Sequence, residues 1–341
     1  MSIPVYILKR ILISIPTILV ISVIGFTLMR FDFTIPAIGQ LTPEIHMKNP
    51  IDPLASIRNN PSISKAAIER EEQRLGLDKP MHVQYGIWFS HVFQAQPDLG
   101  KTNTGDDVLW LIKDRAKNTI VLNLFVVTIT WLIALPLGVY AALHWRSNLD
   151  RAMTALASIG MSFPSFVLAI LLAMLAVKTG LLPLGGIKSV GYASMNALEK
   201  VLDIGKHLLL PGLVMTVGGL ASIQRQMRGN LLDVLESEYV RVARAKGLPE
   251  NVVIYKHAVR TAINPLVTLM GYELAALLSG SVLVETVLGF PGLGQLMYKA
   301  AIETDVNLVM ASLMMSSILL VAGNLMSDIL LKFVDPRIEV A

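Results

Sequence analysis

The stretch EYVRVARAKGLPENVVIYKHAVRTAINP, Glu238 to Pro265, decides how the rest of the chain is read. It carries Arg241, Arg244, Lys246, Lys256 and Arg260 against Glu238 and Glu250, and it stands between two apolar runs long enough to cross a membrane. Its middle, Gly247, Leu248 and Pro249, predicts a helix that stops and restarts. Glycine accepts the positive φ of a helix end, and proline is tolerated in a first helical turn, where its missing N–H costs nothing. The expected product is a bent, charged, amphipathic hook outside the bilayer. Its small residues, Ala243, Ala245 and Gly247, let another surface approach the backbone, and Arg241, Arg244 and Lys246 supply polar anchors. A docking element, a solvated loop and a segment drawn to anionic headgroups all fit that chemistry.

The composition says what surrounds the hook. Of 341 residues, 53% are hydrophobic and 16% charged, and the mean hydropathy is +0.59, which excludes a soluble domain with a polar shell. There is no cysteine, hence no disulfide framework, zinc-thiolate site or thiol nucleophile. The net charge of +4 is accounted for by the cytoplasmic ends of membrane helices rather than by nucleic acid.

Six apolar spans are expected: Ile11 to Met29, then about Thr119 to Leu143, Ala152 to Val177, His207 to Ile223, Leu266 to Val284 and Val306 to Leu331. The first is too long for a signal-peptide core and is read as retained. Pro164, in GMSFPSF at Gly160 to Phe166, should kink the third. Between the first two spans lies a polar segment, residues 32–118, with short amphipathic helices joined by a turn at Gly76 to Pro80. The segment at Phe33 to Pro50 has the character of an insertion. The remainder, 119–341, forms a core of five spans with a cytoplasmic loop at about 229–264. Lys9 and Arg10, Arg146 and Arg151, the hook, and Lys332 with Arg337 fall on one side, which the positive-inside rule makes the cytoplasm. Both termini lie there too. The fold class is an all-α integral membrane protein.

Chemistry inside the spans is sparse. Glu273, Glu285 and Asp328, with Asn324 one turn before Asp328, are the polar candidates. Buried ionisable groups are costly in a bilayer, so they either bond a neighbouring helix or face an aqueous path. Glu273, Asn324 and Asp328 are the candidate pathway residues. Three scattered acids do not form a proton relay. No GxxxxGK[ST] phosphate loop occurs, so the chain should not hydrolyse ATP itself. GFPGLG at Gly289 to Gly294 is read as a turn capping the fifth span. His82, His91, His144, His207 and His257 lack metal-ligand spacing. The pattern describes a conduit rather than an enzyme, with no cofactor of its own.

Several segments, in order, carry a family resemblance: LKRILISIPTILVI from Leu8, LGLDKPMHVQY from Leu75, LPLGVYAA from Leu135, EYVRVARAKGL from Glu238, HAVRTAINPLVT from His257, VETVLGFPGLGQL from Val284 and NLMSDILLKFVDPRI from Asn324. Together they resemble the permease of peptide-type binding-protein-dependent ABC importers, of the first-permease kind with a long segment after its first span. The resemblance implies the type I ABC importer permease fold in the bacterial cytoplasmic membrane. It implies a second homologous permease, two cytosolic ATPase subunits holding ATP and Mg, and an extracytoplasmic substrate-binding protein, besides membrane lipids. It makes the hook a coupling helix, the EAA-motif loop, docking in an ATPase groove through Glu238, Tyr239, Arg241, Ala243, Arg244, Ala245, Lys246, Gly247 and Leu248. Where the general motif has Glu-Ala-Ala, this chain has Arg241, Val242 and Ala243. The implied cargo is a di- or oligopeptide, with oligosaccharides, nickel complexes or glutathione as alternatives within the class. An ion-coupled secondary transporter is the alternative outside it.

Overall fold

A computed structural model describes residues 3–30, 54, 58, 64–94 and 97–334, with the side chains at 3–6, 29–30, 268, 271–281 and 331–334 outside the description. The segment at 33–50, the Glu273 and Lys332 side chains, and Arg337 therefore lie outside the description. Among those described, the regular elements are helices, with one isolated β-bridge between Lys101 and Asp107. The longer helices are α1 (Ile3–Arg30), α2 (Lys65–Leu75), α3 (Met81–Val92), α4 (Val108–Leu143), α5 (Asn148–Ser162), α6 (Ser165–Thr179), α7 (Ala197–Leu235), α8 (Glu238–Ala245), α9 (Val259–Ala262), α10 (Asn264–Leu288), α11 (Leu293–Ile302) and α12 (Val306–Val334). A π-helical segment, Val252–Ala258, precedes α9.

Four stretches are long and apolar enough to cross a membrane: Ile7–Leu28, Val108–Leu143, Ala197–Leu235 and Val306–Leu330. The pair α5 and α6 passes the same test together but is bent by 97°. The sequence reading expects a kinked helix there, and the structure instead has two helices. The cause is local. A residue before proline is pushed out of the helical region, and Phe163, with φ −86° and ψ 123°, is extended, so the helix ends at Ser162 and restarts after Pro164. All six expected spans fall on a helix or on this bent pair. The fourth is longer than expected, because α7 runs 39 residues through Pro211. A capping box starts it: the Asn196 side chain accepts the Glu199 N–H at 2.9 Å and the Glu199 carboxylate accepts the Asn196 N–H at 2.9 Å.

The chain divides into two compact units. One comprises residues 9–117 and 296–318. In it Phe26, Val306 and Met310 form a small core covered by Met81, Tyr85 and Trp88 of α3. The Ser22 and Tyr85 hydroxyls are 2.8 Å apart. The expected amphipathic helices are thus α2 and α3, and the Gly76 to Pro80 turn joins them. Arg74 at the end of α2 binds Glu71, Nε to Oε2 2.9 Å, and also Asp98. Partial burial pushes the Asp98 carboxyl up, but the Gly100 amide and the Arg74 charge outweigh it and hold it below the ordinary aspartate range.

The other unit comprises residues 1–8, 118–295 and 319–341. Helices α5 and α7 run antiparallel, with Gly160 against Val217 and Ala221 at one end and Asp150 against Arg228 at the other. Helices α4 and α7 run in the same direction, with Phe125 against Gly212 and Gly138 against Met227. A Cβ at Gly212 would lie 2.5 Å from the Phe125 ring, so the absent side chain sets how closely these helices pack.

Candidate functional site

The hook follows α7 directly. Helix α8 puts Val240 and Ala243 inward, three residues apart on one face, against a core that includes Met227, Leu231, Val253 and Ala258. Burying a side chain such as Val240 contributes about 1.5–3 kcal/mol, and it is what seats the hook on the unit. Glu238, Tyr239, Arg241, Val242, Arg244 and Ala245 face outward.

The chain then reverses at Gly247. Its φ is +74°, its N–H donates to the Arg244 carbonyl at 2.9 Å, and the Leu248 N–H reaches the Ala243 carbonyl at 3.4 Å. This pair of bonds is the Schellman pattern. Pro249 stands just before the next helical residue, Glu250, rather than inside the first turn, and its carbonyl accepts from Val252 at 2.8 Å and Val253 at 3.1 Å. The Arg244 guanidinium spans the bend to Glu250, Nη2 to Oε1 2.7 Å. That hydrogen bond and the Arg244 charge hold the Glu250 carboxyl below the ordinary glutamate range.

The hook's outer surface therefore differs from the sequence expectation in two ways. Ala243 meets the chain's own core, so Ala245 and Gly247 are the small residues that remain accessible. Arg244 is engaged with Glu250, while Tyr239, Val242, Leu248 and Tyr255 are each exposed on the hook, as are Arg241, Lys246 and Lys256. Val242 and Tyr255 were not singled out from the sequence, because which side of the hook faces outward is set by the core that Val240, Ala243, Val253 and Ala258 join.

Asp150 was also missed. It is 3% exposed and takes two bonds from Arg228, from Nε at 2.6 Å and Nη2 at 2.9 Å, with a third from the Arg146 N–H at 3.0 Å. The signal was present in Ser147-Asn148-Leu149-Asp150, a helix-start pattern, and the Ser147 hydroxyl does cap α5 by accepting the Asp150 N–H at 3.1 Å. Arg228 lies two turns before the end of α7, so the pair ties α5 to the helix that leads into the hook.

At the opposite end of α10, Glu285 is 0% exposed. The Thr119 hydroxyl donates to Oε1 at 3.1 Å and the Gln295 N–H to Oε2 at 2.9 Å. The GFPGLG turn closes over the carboxylate. Gly289, with φ +66°, ends α10, as the sequence reading expects of a cap, and a Cβ at Gly292 would lie 2.3 Å from the carboxyl carbon. Glu285 thus explains why position 292 of this turn needs glycine.

Asn324 is exposed and Asp328 half-buried on α12. Between them, buried Ser327 donates to the Val267 carbonyl of α10 at 3.3 Å, a contact the sequence reading did not single out. No group of histidines and acids with metal-binding geometry occurs among the described residues.

Residues 134–340 match the model of the family described as "Binding-protein-dependent transport system inner membrane component". The chain is 35% identical over 335 residues to the oligopeptide transport system permease protein AppB of Bacillus subtilis (strain 168), covering 98% of this chain and 99% of that one. It is 32% identical over 336 residues to a putative peptide permease protein of Brucella suis biovar 1 (strain 1330), with 98% and 99% covered. It is also 32% identical over 338 residues to a probable peptide ABC transporter permease protein of Sinorhizobium fredii (strain NBRC 101917 / NGR234), with the same coverage. Helices of membrane-spanning length, a hook seated on the end of the longest of them, and similarity from end to end converge: this chain belongs to the family of inner-membrane components of binding-protein-dependent ABC transport systems.

Proposed function

We propose that the chain is one of two permeases importing di- or oligopeptides across the bacterial cytoplasmic membrane, with both termini in the cytoplasm and residues 32–118 outside. A second, homologous permease completes the pathway, and an extracytoplasmic binding protein delivers the peptide. Two ATPase subunits, holding ATP and Mg, dock on the hooks. The observation that carries the reading is that the hook exposes Tyr239, Val242 and Leu248 together with Arg241 and Lys246 while Val240 and Ala243 are buried in the chain's own core. Exposed aromatic and apolar side chains in company with arginine match the composition of a protein interface.

In this mechanism ATP binding draws the ATPases together, the hooks follow, and the helices seated on them rock the pathway toward its outward-open state. Release reverses the motion. Arg244, Ala245, Lys246 and Gly247 transmit the force, and Glu273, Asn324 and Asp328 shape the path. The test is uptake of a labelled dipeptide into proteoliposomes containing the full complex and binding protein. Gly247→Pro should abolish peptide-stimulated ATP hydrolysis and uptake together. Coupling that survives this change would remove the hook from the mechanism, and uptake driven by an ion gradient without ATP would overturn the importer class.

A further inference from the structure

Several threonines in the helices of the unit that holds α4 and α7 turn their hydroxyls back on their own backbone. Thr179 donates to the Leu175 carbonyl at 2.8 Å, Thr286 to the Val282 carbonyl at 2.7 Å and Thr261 to the His257 carbonyl at 3.2 Å. That is the ordinary way for a helical hydroxyl to satisfy itself. Thr130 on α4 and Thr216 on α7 do otherwise. They are 4% and 5% exposed, and neither Oγ1 has a hydrogen-bond partner among the described residues. Asn123 on α4, 3% exposed, has none there for either Oδ1 or Nδ2.

The three side chains share one helix interface. A Cβ at Gly219 of α7 would lie 3.3 Å from Thr130 Cγ2 and 3.8 Å from its Oγ1. Thr130 therefore faces α7, and the glycine keeps a side chain out of the space beside its hydroxyl. Asn123 stands two turns before Thr130, on the same side of α4. Gly212, against the Phe125 ring, and Gly219 mark the side of α7 that meets α4, and Thr216 lies between them, four residues after one and three before the other. Because the two helices run in the same direction, Thr216 also stands between Asn123 and Thr130 in height. At about 1.5 Å per residue the steps are about 6 Å from Asn123 to Thr216 and about 4.5 Å from Thr216 to Thr130.

Buried polar groups left without partners are costly, most of all where two membrane-length helices meet. No hydrogen bond joins these three side chains to one another, and polar groups separated by more than about 3.5 Å are joined through water. Asn123 offers two donors and an acceptor, and each threonine a donor and an acceptor. A buried water needs two to four such partners. We infer that the α4–α7 interface is a binding site for water, with one buried molecule joining Asn123 to Thr216 and another joining Thr216 to Thr130. The helix that carries the hook thus meets α4 partly through water. The inference depends on neither cargo nor ATPase docking, so it can fail while the importer reading stands.

The experiment uses the full chain in mild detergent and reads its thermal unfolding midpoint. Thr130→Val and Thr216→Val keep the shape of the side chain and remove the hydroxyl. If each hydroxyl holds a water, either change should lower the midpoint, by about 2–4 °C. The double variant should lose less than the sum of the two, because both threonines hold the same water. Thr128→Val, at an exposed position of α4, should not lower it. A dry interface gives the opposite sign: replacing an unsatisfied hydroxyl by a methyl group leaves the midpoint unchanged or raises it, and that result would overturn the inference, as would losses that simply add. A second measurement does not depend on how the variants fold. A map of the unaltered protein in its complex, at a resolution that shows ordered water, should place one molecule within about 3 Å of both Thr216 and Thr130 and another within reach of Asn123. Side chains bonded directly to one another in that map would equally overturn it.

Discussion

Arg228 on α7 holds Asp150 on α5 with two nitrogens, at 2.6 and 2.9 Å, and the carboxylate is almost completely enclosed. Removing one partner of a buried pair leaves the other charge without compensation, which costs about 3–5 kcal/mol. Arg228 is 23% exposed, which places Asp150→Asn at the lower end of that range. Thermal unfolding of the purified chain should show the loss. Replacing both residues, Asp150→Leu with Arg228→Leu, should recover much of it, and a double variant as unstable as the sum of the singles would show that the two residues act separately.

The bend of the hook should respond to acid. Glu250 has its carboxyl lowered from the ordinary 4.5 by the hydrogen bond and charge of Arg244. A lowered carboxylate contributes stability that is present above its unfolded value and lost as pH falls through the folded one. The bend should therefore be unchanged from pH 8 to about pH 5 and loosen below about pH 4. Hydrogen exchange at residues 244–250 would measure this, and Glu250→Gln should remove the acid dependence. The pair is solvent-exposed, so added salt should weaken it.

Gly247 should be costly to replace for a conformational reason alone. A side chain there would meet nothing within 4 Å, but its φ of +74° is unfavourable for an L residue by about 1–2 kcal/mol. Gly247→Ala should speed hydrogen exchange across α8, and Gly247→Asn should do so less, because asparagine tolerates this region better. Equal effects would point to a steric cause.

Over Glu285 the expectation is reversed, with space limiting and conformation secondary. Gly292→Ala drives a methyl group into the carboxylate and should destabilise by about 1–3 kcal/mol, as overpacking does. Glu285→Gln retains an acceptor for the Gln295 N–H or the Thr119 hydroxyl and should be milder than Glu285→Ala. Unfolding midpoints of the three variants in detergent would order them.

The spans, the hook and its stop at Gly247 were legible because each depends on neighbours in sequence: a run of apolar residues, a glycine where φ must be positive, a proline that ends a helix. The 97° break at Phe163 was half legible. Pro164 announced an interruption, but bend and break differ only in whether the turns before and after find separate places to pack. Ala243 was assigned to the outer surface because a small residue beside arginines suits an interface, and only its position one turn from Val240 over the Val253 and Ala258 core places it inside. Asp150 was not singled out, because its partner Arg228 lies 78 residues further along the chain.

By itself, then, the sequence determined an all-helical membrane protein, the order of its elements and the presence of a bent basic loop, since periodicity, hydropathy and backbone stereochemistry act over a few residues. The tertiary structure alone decided which side of the hook faces out, which acid is paired with which arginine, and why Gly292 must lack a side chain. Those depend on contacts such as Asp150 to Arg228 and Thr119 to Glu285, between residues that only the packing of whole helices brings within reach.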